Sequence, residues 1–304
     1  MKDIWIAAVA RGHNGSVCLL KNGEIVFSIE EERLSRYKYD GGPYAAMTKI
    51  LNYTDKLDYL IIAHTQTLDD TAGRVDFTGD DVYTGLARKL GLIDKKYKAW
   101  GGPHPQVIDL SHIHHKLHAA CAFYRSGFEE AVAVIIDGAG TFIPLQANGE
   151  TTTGWETESI YTCSYPANFK TIYKHIGMRG PSAGTHLSDF PGDIYDEPGT
   201  THEAFITDRA GITKVYEAVT RYCGWDCIEA GKTMGLFPYG KECNEFPSLF
   251  DSDMIMPATN RNIVIPTYPN GAVINIGVYP YLNSHDNDDV TYLENRRNLA
   301  YACQ

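Results

Sequence analysis

Apolar and polar positions follow two rhythms along this chain. Residues 4–10 (IWIAAVA) are continuously apolar and of strand length, and the polar turn ARGHNGS (10–16) follows. Residues 17–20 read as a second strand, Asn22-Gly23 as a hairpin turn, and 24–30 as the returning third strand. A helix is expected over 43–53, with Pro43 at its start, and another over 82–92. Strands are expected at 59–64 and 106–110. Leu117, Ala119, Ala120, Ala122 and Phe123 support a helix beginning at the histidines near 114. The β-branched run 131–136 then ends in Asp137-Gly138-Ala139-Gly140-Thr141. Beyond it, 141–146, an Asn148-Gly149 turn and 154–163 predict a hairpin or meander. The stretch 177–211 is rich in Gly, Pro, Asp and His and predicts a long loop insertion. An amphipathic helix is expected at 212–222, short strands at 263–266 and 273–278, and a helix from 289. Strands alternating with helices predict an α/β fold.

The candidate chemistry is densest around 112–137. His112, His114, His115 and His118 cluster there, and His114 and His118, four apart, share one helix face. With Asp137 at the end of the next strand they could hold a divalent metal through nitrogen and oxygen ligands. The plainer alternative is a histidine pair on a solvated face and an Asp-Gly that only turns the chain. The charged run EEERLSRYKYDGG (30–42) reads as a solvated loop, or as a source of anion-binding groups in Arg33, Arg36 and Lys38. EAGKTMGLFPYGK (229–241) is not a Walker A motif; it is either a phosphate loop around Lys232 or a tight helix-to-loop packing element.

At 304 residues, with 43% hydrophobic and 21% charged content, the chain has the make-up of a soluble globular protein of one large or two ordinary domains. A net charge of −11 argues against nonspecific binding to nucleic acid, so no nucleic-acid polymer is expected as partner, since no basic stripe exists to neutralise phosphates. Seven scattered cysteines without paired spacing suit reduced thiols and a cytoplasmic location. No apolar run reaches membrane-spanning length, and 4–10 reads as a strand rather than a signal peptide.

Three antiparallel strands with a polar first turn resemble the opening of a ribonuclease-H-like lobe of the actin, sugar-kinase and Hsp70 superfamily. Three blocks, HNGSVCLLKNGEIVFSIEEERLSRYKYDGG (13–42), HHKLHAACAFYRSGFEEAVAVIIDGAGT (114–141) and EAGKTMGLFPYG (229–240), resemble the O-carbamoyltransferase family of nodulation and antibiotic-tailoring type. Its amino-terminal domain is Kae-like. The resemblance covers nearly all of the chain outside 177–211 and 245–285. It implies a two-lobed α/β fold, with a first lobe at 1–128 carrying the metal-binding helix and a partial second lobe at 129–304.

The resemblance also implies roles. His114, His118 and Asp137 match positions that bind a divalent metal, often iron, with zinc or manganese as alternatives. His13 and Lys38 match catalytic positions, His13 acting in transfer and Lys38 standing near the donor phosphates. Asn14, Gly15, Ser16, Gly138, Gly140 and Lys232 would meet nucleotide or phosphate; the acceptor-binding residues are not implied. The partners would be carbamoyl phosphate, ATP and a hydroxylated acceptor, with carbamoyl-adenylate as donor and Mg for the adenylation step. HNGS stands where the family tends to carry HDSS, which puts any role of an Asp at position 14 in question. The family's further second-lobe segment and YrdC-like adenylation domain have no counterpart here, so a dimer or separate chain completing the lobe is expected. Three rivals remain. A metallopeptidase would need Glu where His115 stands. A sugar kinase or Hsp70-like ATPase has no need of a histidine pair. A non-catalytic nucleotide- and metal-binding module would need a partner chain.

Overall fold

The computed structural model describes residues 2–10, 12, 14–64, 82–95, 104–147, 150–178, 185–207, 211–243, 262–265, 272–275 and 290–304. They form two compact units, Met1–His114 and His115–Gln304.

In the first unit, β1 (Trp5–Ala10), β2 (Ser16–Lys21) and β3 (Glu24–Glu30) run antiparallel. Asn22 and Gly23 both take positive φ (54° and 89°), the geometry a two-residue hairpin needs to match strand twist. After β3 come α1 (Glu31–Ser35), α2 (Tyr44–Lys49), β4 (Tyr59–Ala63), α3 (Val82–Lys89) and β5 (Val107–Asp109). Strands β4 and β5 join in parallel, giving the order β3-β2-β1-β4-β5. Parallel neighbours need crossover connections, and the helices occupy that chain. Alternate strand residues Ala7, Val9, Val17, Leu19, Leu60 and Ile62 are buried in one core with Ala46, Met47 and Ile50 after β3 and Tyr83 and Ala87 of α3.

The charged run at 30–42 is not the solvated loop its composition predicts. Its start folds as α1, and Glu31 is buried, accepting the Ala45 and Ala46 N–H groups at 2.9 and 2.8 Å. The first N–H groups of a helix have no intrahelical partner, and a carboxylate satisfies two of them at the start of α2. Arg33 is turned back on its own helix, toward Glu30 and Glu32.

Helix α4 (His114–Ser126), all but its first residue in the second unit, buries Ala119 and Phe123 against Ile135, Tyr161 and Cys163. That packing groups the helix with the strands after it. Next come β6 (Glu130–Ile136), β7 (Phe142–Ala147), β8 (Glu150–Ser164) and β9 (Asn168–Met178). Strands β6 and β7 pair successively with the long β8, so 137–141 is a break between two strands lying on one side of it. The stretch expected as a loop insertion over 177–211 instead holds β10 (Thr185–Pro191) and β11 (Thr201–Thr207). Strand β11 extends the sheet parallel to β9, and β10 pairs with β11. Five of the thirteen Gly, Pro and Asp residues of that stretch sit in the connection 192–200, where Asp196 and Gly199 take positive φ, and β10 carries a register shift between Leu187 and Phe190.

Helix α5 (Ile212–Tyr222) buries Val215, Ala218, Val219 and Tyr222, as its periodicity predicts. It is followed by α6 (Ala230–Leu236), β12 (Asn262–Ile265), β13 (Ala272–Asn275) and α7 (Val290–Cys303). A buried hydroxyl pair, Thr220 and Thr233 at 2.8 Å, joins α5 to α6, and Tyr216 reaches Gln304 after α7 at 2.9 Å. Among the described residues no helix is long and apolar enough to cross a membrane.

Candidate metal centre

Helix α4 begins with His114 and presents His118 one turn later, while β6 ends by delivering Asp137. One ligand atom from each of the three lies within 4.8 Å of the others. His118 Nε2 is 3.9 Å from Asp137 Oδ2, and both side chains are partly open to solvent. The helix spacing and the strand end thus bring together the residues expected from the sequence.

The loop carrying Asp137 is tightly held. Asp137 N–H donates to the Thr157 carbonyl and Gly140 N–H to the Glu156 carbonyl, both at 2.9 Å. Thr141 N–H donates to the Glu156 carboxylate at 2.9 Å, and Gly138 N–H to Asp137 Oδ1 at 2.6 Å. From α5, the Thr213 hydroxyl donates to the Asp137 carbonyl at 2.6 Å. Both glycine N–H groups of this loop, those of Gly138 and Gly140, therefore donate within the protein. Gly140 is required because a Cβ there would collide with the His115 ring and the Glu156 carboxylate.

Behind the loop lies a polar network that the sequence reading missed. His115, wholly buried, places Nδ1 2.7 Å from the Ser159 hydroxyl and Nε2 3.7 Å from Asp137 Oδ2. Position 115 therefore supplies no exposed general base, which removes the metallopeptidase arrangement. Ser159, His115 and Asp137 resemble a hydrolase triad in composition only, since Ser159 is wholly buried and no substrate can reach it. Glu156 forms an ion pair with Lys174, which also bonds the Tyr161 hydroxyl; all three side chains are buried. Burial alone would raise the Glu156 pKa, but the Lys174 ammonium, the His115 ring and the Thr141 N–H together bring it down to about 2. On β11, His202 is buried between Phe190 and Tyr195, and burial followed by the nearby Lys174 charge pushes its pKa down to about 4. Lys116 of α4 reaches the Tyr195 carbonyl at 2.6 Å and Glu197 at 2.8 Å, and Glu197 also accepts from Thr171.

Of the other candidates, His13 lies outside the described residues. Gly15 N–H donates to the Asp40 carbonyl at 2.8 Å, and its own carbonyl accepts Glu31 N–H. The absence of a Cβ at Gly15 lets turn 14–16 lie directly on the Asp40-Gly41 backbone. That contact brings Asn14 and Ser16 toward the segment of Lys38, whose ammonium sits 4.5 Å over the Tyr39 ring. Lys232 of α6 is drawn to Glu229, just before the helix, at 2.6 Å, and Gly240 packs against the Arg297 backbone. The 229–241 stretch thus carries the short helix α6 and a close-packed exit at Gly240.

No family model matches the chain. Over 238 residues, 75% of its length, it is 25% identical to nodulation protein NolNO of Sinorhizobium fredii, of which it covers 28%. Over 146 residues, 47% of its length, it is 30% identical to the uncharacterized protein MJ1051 of Methanocaldococcus jannaschii, of which it covers 24%. The chain thus spans about a quarter of the length of these relatives.

Proposed function

We propose that this chain is the metal- and acceptor-binding part of an O-carbamoyltransferase. The activity would pass a carbamoyl group from carbamoyl-adenylate, made from carbamoyl phosphate and ATP, to a hydroxyl of a small-molecule or nucleoside acceptor. The convergence of His114, His118 and Asp137 carries the reading, since all three lie in one of the blocks that resemble this family. Similarity to a nodulation protein over three quarters of the chain supports it. So does the order β3-β2-β1-β4-β5, three antiparallel strands followed by two parallel ones, which suits a ribonuclease-H-like lobe.

Two imidazoles and a carboxylate suit iron(II), zinc or manganese, and the partly open His118 and Asp137 leave room for a further ligand. A metal held there would supply Lewis acidity toward a carbonyl or phosphoryl oxygen. In the transfer, the acceptor oxygen bonds the carbamoyl carbon, and the bond from that carbon to the phosphate oxygen breaks. AMP leaves with the electron pair. His13 takes the hydroxyl proton, and Lys38 meets the donor phosphate. A second reading, a nucleotide- and metal-binding module acting with a partner chain, rests on the same three converging residues without the transfer step.

The test supplies the purified chain with iron(II), carbamoyl phosphate, ATP, Mg and a panel of hydroxylated acceptors, alone and with an added adenylating domain. Carbamoylated product is expected with the added domain and is expected to vanish in His118→Ala. Metal binding without product in either arm would favour the binding module, and no metal binding would overturn both readings.

A further inference from the structure

We propose that His115 is a positioning residue that holds the Asp137 carboxylate toward His114 and His118; the proposal rests on the metal-centre reading above. Successive helix residues are rotated by about 100°, so His115 turns away from the face that His114 and His118 share. It points into the protein, where it is wholly buried. Its two nitrogens face different groups. Nδ1 lies 2.7 Å from Ser159 Oγ on β8, and Nε2 lies 3.7 Å from the Asp137 oxygen that also faces His118. With the Ser159 hydroxyl as donor to Nδ1, the ring proton would sit on Nε2, on the side of that carboxylate. The ring cannot easily swing aside, because it is packed against Gly140 where even a methyl group would collide. The backbone of the 137–141 loop is fixed by its own hydrogen bonds and Asp137 Oδ1 accepts Gly138 N–H, which leaves the placement of Oδ2 as the freedom His115 restrains. Groups that orient a ligating carboxylate in this way commonly change metal affinity by about 10–100-fold when lost.

The experiment exploits the separate reach of the two nitrogens. A Gln side-chain amide can place its N–H₂ near the position of Nε2, and an Asn amide near that of Nδ1. Cobalt(II) or manganese(II) is titrated by calorimetry into the 304-residue protein and into His115→Gln, His115→Asn and Ser159→Ala, with thermal melting of each metal-free protein. His115→Gln should bind nearly as tightly as the parent, and His115→Asn about 10–100-fold more weakly, the two melting at similar temperatures. Equal affinity of the Gln and Asn variants would overturn the role of His115 while leaving the metal centre standing. A parent protein that binds neither metal would overturn both. Should the His115 variants fail to fold, Ser159→Ala decides: weaker binding supports the proposal, and unchanged binding overturns it.

Discussion

Lys174 and Glu156 meet as an ion pair with no solvent exposure, on neighbouring strands β9 and β8, and the same Glu156 carboxylate holds the Thr141 N–H. The 137–141 loop is thereby braced by a charge pair in the interior. Removing one partner of such a pair leaves an uncompensated buried charge, so Lys174→Met should destabilise the fold by about 3–5 kcal/mol. The double variant Glu156→Gln/Lys174→Met should recover at least half of that loss, since Gln still accepts from Thr141. Urea unfolding of the three proteins checks this. A double variant no more stable than Lys174→Met would mean that something other than the stranded charge sets the cost.

Acid should weaken the protein in two stages. His202 has a folded pKa of about 4 against an ordinary 6.5, so its neutral form is favoured in the fold. The stability it contributes is complete above 6.5 and is lost as pH falls toward 4. Glu156 follows, with a folded pKa of about 2 against 4.5. Its contribution, on the order of 3 kcal/mol, is complete above 4.5 and is lost as pH falls toward 2. His202→Phe should flatten the first stage and Glu156→Gln the second, read from urea midpoints across pH 2–8.

Metal should stabilise the folded chain by mass action, raising its melting temperature as metal concentration exceeds the dissociation constant. Chelator should reverse the rise. His118→Ala, at a largely exposed position, should fold normally and show no such rise. A persistent metal-dependent shift in this variant would place the ion elsewhere.

Gly140→Ala forces a methyl group onto the His115 ring and the Glu156 carboxylate. Overpacking of this kind costs about 1–3 kcal/mol, and the displaced loop should also bind metal more weakly. Gly231→Ala, on a helix with nothing within 4 Å of the added carbon, should lack the collision and serve as the control.

Nucleotide binding separates the two lysines proposed to meet phosphate. Lys232 is occupied by Glu229, so Lys232→Ala should leave ATP affinity within about twofold. Lys38→Ala should weaken it by about tenfold, the loss of a charge-assisted contact. Fluorescence titration with an ATP analogue distinguishes them, and equal effects would show that Lys38 has no privileged place.

The sequence by itself determined the local elements and the residues one element can present. Helical spacing put His114 and His118 on one face, the β-branched run ended at Asp137, and Asn22-Gly23 closed its hairpin, because these depend on neighbours in the chain. Tertiary structure decided what lies behind them. A register shift between Glu156 and Glu158 interrupts the alternation of β8, and with it Glu156 reaches Lys174 while Glu158 reaches His175. Simple alternation gives no sign of such a shift. His115 looked like one more member of a histidine cluster until Ser159, 44 residues away, was found at its Nδ1. Glu31 belonged to a charged run that reads as solvated until the start of α2 was laid against it. In each case the deciding partner is remote in sequence, and burial turned an ordinary polar residue into one that must be satisfied.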